Sequence, residues 1–393
     1  MRVVLIAGPD AGHAFPVMAL AERFRSAGDE AVVLTGERWW QAGRAAGLDV
    51  RPLPGLEPRP EDDDADAGQR IHGRAAHMST QVMPVLTDLA PDLVVADVLT
   101  AGGGMAAERC GIPWVELSPH PLYRPSRSLP PLGSGLAPGS GVRGRMRDGV
   151  MRRLTARSVR AGTAQRSAAR ISVGLPALDP GPARRLIATI PALEVPRVDW
   201  PSEARLVGAL LWEPTDTVLD LPPGNEPLVV VAPSTATTGE ASTVDVTLSA
   251  AARSRASGLP VRVAISALEM PGRQHDALPS WAVAGSGRQD VLLRSASAVV
   301  CGGGHGMLAK TLSSGVPAVT VPGGGDQWEL ANRAARQGSS IPVSPPDVDT
   351  LARALARVLR EPSFRRAARR AAAGADAVRD PVAVCRSVLA GRA

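Results

Sequence analysis

The chain has 393 residues, 44% of them apolar, with a mean hydropathy of +0.01, a net charge of +6 and a pI near 10.3. Its length exceeds what one ordinary core serves and calls for two domains, and no stretch approaches the ~20 apolar residues of a membrane helix. The basic balance would suit a nucleic-acid binder, but its distribution argues against one: Lys310 is the only lysine, the arginines are dispersed among Ala, Gly and Pro, and 3% aromatic content offers bases no stacking platform.

Residues 3–6 are an unbroken apolar run, as expected of a parallel strand buried on both faces. The run ends at Gly8 and Asp10, so the segment reads as a first strand and not as a signal peptide. Gly8, Asp10 and Gly12 make a turn. Val17, Leu20, Ala21 and Phe24 then fall on one helix face, with Pro16 in the first turn, where proline is tolerated. Residues 30–34 predict a second strand. Residues 93–96 predict another, followed by a turn at Gly102, Gly103 and Gly104, a helix over 105–109 and a strand over 114–117. Strand alternating with helix implies a parallel α/β sheet.

Two segments break this rhythm. Residues 57–66 (EPRPEDDDAD) are acidic and predict a solvated loop. Residues 118–144 are rich in Pro, Ser and Gly and predict a long loop over the first domain. An arginine-rich helix follows from about Met146. Cys110, Cys301 and Cys385 lie far apart without metal spacing, which fits a reducing cytoplasm. His72, His77 and His275 are expected on the surface.

Residues 196–227 hold repeated prolines and one short apolar run at 206–211, so the inter-domain linker falls there. A second α/β unit begins with a strand over 228–232, a polar turn over 234–239, a helix over 243–256 and a strand over 261–265. Val348, Leu351, Ala352, Leu355, Val358 and Leu359 give a clean helix face, and helical segments over 363–375 and 381–389 finish the chain.

Residues 299–332, VVCGGGHGMLAKTLSSGVPAVTVPGGGDQWELAN, organise the rest. They read as strand, glycine loop, helix, strand, glycine loop, helix. Glycines at 302, 303, 304 and 306 let the backbone approach a ligand closely. A helix opening at His305 points unpaired N–H groups and a partial positive charge outward, a seat suited to a diphosphate. Asp326 and Gln327 place a carboxylate and a carboxamide where they can hydrogen-bond neighbouring sugar hydroxyls. Two parallel-sheet domains would enclose a cleft, with the carboxyl ends of their strands facing it.

Five stretches in this order resemble the GT-B glycosyltransferases of family 1, in the actinobacterial natural-product branch. They are GPDAGHAFPVMALAERF at the N-terminus, residues 91–97 with 110–113, IPALEVPRVDWPSEARLVG, residues 302–307, and Asp326–Gln327 with Asn332. The resemblance spans nearly the whole chain. It implies two Rossmann-like domains facing a central cleft, an acceptor domain over 1–205, a nucleotide-sugar domain over 206–375, and a C-terminal helix over 376–393 returning toward the first domain.

It also implies roles. His13 would be the general base and Asp97 its support. Ser234, Thr235, Arg288, Gln289, Gly303, Gly304, His305, Gly306, Met307, Asp326 and Gln327 would hold the donor, and Gly12, His120 and Tyr123 the acceptor. No metal or other cofactor is implied: a nucleoside diphosphate sugar is the co-substrate and a small lipophilic aglycone the acceptor. Neither nucleic acid nor membrane is an expected partner, and the chain is expected as a monomer or homodimer in the cytoplasm.

The chain departs from the family pattern in three places. Gly302 stands for a usual histidine and Met307 for a usual threonine, with His305 in the variable slot. Arg288 and Gln289 fall where the family has a tryptophan–x–proline–glutamine segment, so Arg288 is expected to stack on the base. The resulting expectation is inverting transfer of a deoxysugar from TDP, or a sugar from UDP, to an aglycone hydroxyl. The rivals are a catalytically idle partner of another transferase, a peptidoglycan-type transferase and a sugar epimerase.

Overall fold

In the computed structural model, the described residues are 1–57, 59, 67–234, 240–268 and 278–391. Most of the acidic run, Thr235 and His275 lie outside them. Seven parallel strands form the first sheet: β1 (Arg2–Ile6), β2 (Glu30–Thr35), β3 (Asp49–Pro52), β4 (Leu93–Asp97), β5 (Trp114–Ser118), β6 (Arg184–Ile187) and β7 (Ala204–Leu206). Their order is β3-β2-β1-β4-β5-β6-β7. Six parallel strands form the second: β8 (Leu228–Ala232), β9 (Arg262–Ser266), β10 (Ala282–Gly285), β11 (Ala296–Cys301), β12 (Ala318–Thr320) and β13 (Ser340–Pro342), ordered β10-β9-β8-β11-β12-β13. This is the GT-B architecture of two doubly wound domains.

Five helices serve the first sheet: α1 (Ala11–Ser26), α2 (Trp40–Ala45), α3 (Ala67–Leu89), α4 (Ala101–Arg109) and α5 (Gly141–Ser172). Six serve the second: α6 (Glu240–Ala256), α7 (Gln289–Ser295), α8 (His305–Ser313), α9 (Gln327–Arg336), α10 (Val348–Arg360) and α11 (Pro362–Ala373). The last, α12 (Pro381–Ala390), crosses back. Its Val382, Cys385 and Val388 join the core formed by Val17, Leu20 and Phe24 of α1, and Arg386 donates to Asp29 at 2.8 Å.

In each sheet the chain first winds outward from one central strand and then restarts on that strand's other side. The reversal falls between β1 and β4, and again between β8 and β11. Loops leaving neighbouring strands in opposite directions open a crevice at the carboxyl ends. Gly12 and His13, Asp97, Ser234 and the 302–307 loop stand at or just after the ends of these four strands, while His120 and Tyr123 follow β5, Arg288 and Gln289 follow β10, and Asp326 and Gln327 follow β12. The two lobes also share a core: Ile190 and Leu193, just after β6, pack among Leu308, Leu312, Leu330 and Ala334.

Three local expectations are corrected. Helix α1 begins at Ala11, so Pro16 lies inside it and not in its first turn. Gly102, Gly103 and Gly104 are not a turn but the start of α4, because that turn of helix is wedged against neighbours. A Cβ at Gly102 would lie 2.5 Å from the Ala75 carbonyl oxygen, and one at Gly104 2.8 Å from the Trp114 ring. His72 and His77 are half-buried along a cavity between α3 and α5, not on an open surface. No described helix is long and apolar enough to cross a membrane.

Candidate active site

The first lobe supplies a histidine–carboxylate pair. Ile6 of β1 pairs with Ala96 of β4, so the loop after β1 and the end of β4 are neighbours. Thr100 fastens them, its hydroxyl within 3.0 Å of the carbonyls of both Ile6 and Asp97. The Asp10 carbonyl accepts from His13 N–H at 2.9 Å and opens α1. His13 thereby stands in the first turn with its Nδ1 at 2.8 and 2.9 Å from the two Asp97 oxygens. Asp97 is buried and also accepts the Leu99 N–H. An ionised carboxylate only accepts, so it holds the proton on Nδ1 and leaves Nε2 with its lone pair. Burial, the largest influence on His13, disfavours its charged form. The charge and hydrogen bond of Asp97 outweigh it, helped by Asp10 and Asp326, and the pKa rises above 6.5.

The second lobe supplies the glycine loop expected to seat an anion. Gly303 sits at φ +81°, a conformation glycine adopts without strain, and Gly304 is the N-cap of α8. Cys301 pairs with Ala232, which brings the loop after β8 alongside. Gln327 ties the second glycine loop to the loop after β8. Its carbonyl oxygen accepts from Gly323 N–H at 2.9 Å and its amide donates to Ser234 Oγ at 2.8 Å. A Cβ at Gly302 would lie 3.0 Å from Ser234 Cβ and 3.1 Å from Gln327 Oε1. Glycine at 302 is therefore the counterpart of the Ser234–Gln327 bond. Each end of the Gln327 amide makes one bond inside the protein, so it braces the site and keeps a second N–H and a second lone pair for the sugar hydroxyls expected there.

His305 does not simply face outward from α8. Its Nε2 lies 2.8 Å from Thr189 Oγ1 of the first lobe. Burial, reinforced by His120, pushes its pKa down to about 3 and keeps the ring neutral. Met307, expected against the donor, packs on the core of the second lobe with Leu228, Leu292 and Val316. Gly306 and Gly12 are exposed, with nothing within 4 Å of an added Cβ.

His120 and Tyr123, in the loop after β5, bridge the two halves. His120 donates from Nδ1 to the Pro121 carbonyl at 2.8 Å. Its ring meets His13 edge-on at 6.4 Å and stacks on Tyr123 at 4.2 Å with 14° between planes. Tyr123, expected with the acceptor, donates its hydroxyl to Asp326 Oδ2 of the second lobe at 2.7 Å. Farther along the loop, Glu329 accepts from Gly135 N–H and Arg336 donates to the Gly135 carbonyl. Gly135 has φ +66°, and a Cβ there would lie 2.4 Å from the Trp328 indole nitrogen.

Two further cavities are present among the described residues. One of about 950 Å³ lies between α2 and α7, with Trp39, Trp212, Arg288 and Lys310 in its walls. The Arg288 guanidinium there is paired with Asp290 at 2.9 Å. Gln289 turns away from this cavity to accept from Lys310 at 3.2 Å, beside the 2.8 Å Lys310–Glu213 ion pair. The other cavity, about 490 Å³, lies under the 119–140 loop, between α5 and α9, and is walled by Leu129, Leu132, Leu136 and Val159. Thr189, Glu213 and Lys310 escaped the sequence reading. A single lysine inside an apolar helix was the one available signal.

The family model for the C-terminal domain of erythromycin biosynthesis protein CIII-like proteins matches residues 287–390. The chain is 28% identical over 406 aligned residues to 4'-demethylrebeccamycin synthase of Lentzea aerocolonigenes, covering 93% of each. Its fold superposes on the glycosyltransferase of kitacinnamycin with a TM-score of 0.76 at 19% identity, over 100% of this chain and 98% of that one. It also superposes on the glycosyltransferase VinC, solved with dTDP, at 0.70 and 22% identity over the whole of both chains. The structural matches speak for the fold. The chain is thus similar in its whole fold to the GT-B glycosyltransferases of actinobacterial natural-product pathways, and over residues 287–390 it carries the signature of the erythromycin CIII-like C-terminal domain.

Proposed function

We propose that this enzyme moves a deoxysugar from a TDP donor, or a sugar from UDP, to a hydroxyl of a small lipophilic aglycone, with inversion and without a metal cofactor. The observation that carries the reading is the His13–Asp97 pair, linked through His120 and Tyr123 to Asp326. The nucleoside would occupy the 950 Å³ cavity. There Arg288 offers a guanidinium plane for the base, and Asp290 holds that plane in place. The apolar 490 Å³ cavity suits an aglycone.

In this mechanism Nε2 of His13 takes the proton from the acceptor hydroxyl. The oxygen attacks the anomeric carbon in line as the bond to the diphosphate breaks, which inverts that carbon. The free N–H groups at the start of α8 stabilise the departing charge. Asp326 orients the sugar.

The test is His13→Ala assayed with a panel of TDP- and UDP-sugars. Turnover should fall by about 10²-fold or more, while nucleotide binding followed by thermal shift stays within about twofold. Near wild-type turnover would remove His13 from the mechanism. A protein that releases no nucleoside diphosphate from any donor would instead be the idle partner.

A further inference from the structure

The carboxylate proposed to hold the donor sugar already has one oxygen occupied. Oδ2 of Asp326 accepts the Tyr123 hydroxyl at 2.7 Å. The phenol is not a loose visitor. Its ring is stacked on His120 at 4.2 Å on one side, and the Arg333 guanidinium lies 5.9 Å from its centroid. Arg333 is itself fixed by Glu329 at 3.0 Å and by the Leu193 carbonyl at 3.0 Å. The chain contains no other tyrosine.

We infer that Tyr123 is a specificity-determining residue for the donor: its hydroxyl takes the place at Asp326 that a second sugar hydroxyl would otherwise fill. This rests on the sugar-transfer reading above. A carboxylate can grip two vicinal hydroxyls with its two oxygens. Oδ2 keeps a second lone pair, but the phenol lies 2.7 Å in front of that oxygen, so one sugar hydroxyl is bound at Oδ1 and its neighbour on the ring is directed at the phenol. A hydroxyl there meets a filled position. A CH₂ at that carbon instead lies against aromatic carbon, and nothing polar is left unpaired. The site therefore favours a hexose lacking one hydroxyl next to the one Asp326 holds. Tyr123 reaches this position from the loop of the acceptor lobe, so the acceptor half of the protein filters the donor.

The experiment measures binding of TDP-glucose and its 2-, 3-, 4- and 6-deoxy analogues by calorimetry, with TDP and UDP alone as references, to the wild type and to Tyr123→Phe. Phenylalanine keeps the ring stack and removes only the hydroxyl. The wild type should bind one analogue, deoxygenated at a ring carbon, about tenfold more tightly than TDP-glucose, the weight of one hydrogen bond to a charged group. In Tyr123→Phe that ratio should shrink to about threefold or less, through tighter binding of TDP-glucose, while affinity for TDP alone is unchanged.

Equal binding of all five sugars by the wild type overturns the inference without need of the variant. A ratio that survives in Tyr123→Phe, or a uniform loss of affinity for every donor, overturns it too and leaves sugar transfer standing. A wild type that binds neither nucleotide nor any sugar nucleotide overturns the sugar-transfer reading itself.

Discussion

His13 is pulled in two directions. Its position in the cleft disfavours charge, and the Asp97 carboxylate 2.8 Å away favours it more. The sign of the result fixes a pH profile. A base works in its neutral form, and a pKa above 6.5 means the neutral form is already being lost while the pH is still above that value. The acid limb of kcat/KM should therefore lie above pH 6.5 and fall tenfold per unit below it. Asp97→Asn removes the charge that raises the pKa. It also lets the imidazole adopt either tautomer, so Nε2 no longer always carries the lone pair. Its acid limb should move to lower pH, with a turnover loss of about 10²-fold. An unmoved limb would separate Asp97 from the titrating group. His120 shifts the other way, chiefly through burial, so beside His13 there is a neutral imidazole and not a second cation.

At the scale of elements, the glycine loop before α8 is where sequence and structure instruct each other most. That loop was legible because its requirements are local: positive φ at Gly303, an open helix start, and a strand feeding it. What Gly302 is for was not legible, since its reason is the Ser234–Gln327 bond, made 93 residues apart. Restoring the family's residue with Gly302→His should lower stability by about 1–3 kcal/mol, the cost of overpacking. Ser234→Gly in the same chain should recover part of it, a coupling that urea denaturation of the two single variants and the double variant would read. Additive effects would mean the loops adjust independently.

Helix α3 shows a different failure. Ala75, Met78, Val82, Leu86 and Leu89 are a proper buried helix face, yet the segment adjoins the acidic run and contains Pro84. The three glycines of α4 misled because glycine was read as backbone freedom, when here it is the absence of a Cβ that matters. Tyr123 and Asp326 touch across 203 residues. No spacing in one sequence announces such a contact.

At the scale of the molecule, the question is whether the two lobes behave as separate bodies. A GT-B chain with two complete parallel sheets has the material for two independent cores. This one is sewn through. Leu193 belongs by sequence to the first lobe, but it is fully buried among Leu308, Leu312, Leu330 and Ala334 of the second. Arg333 of the second lobe donates to the Leu193 carbonyl at 3.0 Å, and α12 carries the end of the chain back onto α1. The linker adds the Lys310–Glu213 ion pair, which ties residue 213 to α8.

With the seam this apolar, unfolding either lobe exposes surface on the other, and the chain should melt in one calorimetric transition. Leu193→Ala removes the side chain at the centre of that seam and leaves both sheets untouched. Cavity formation at a closed site costs about 2–5 kcal/mol, charged here to the contact between lobes and not to either core. The expected thermogram is a single peak for the wild type, and for Leu193→Ala a lowered first transition with the second lobe melting behind it. Two peaks in the wild type would mean that the lobes fold as independent units and that the cleft's geometry is set by the ligands it holds.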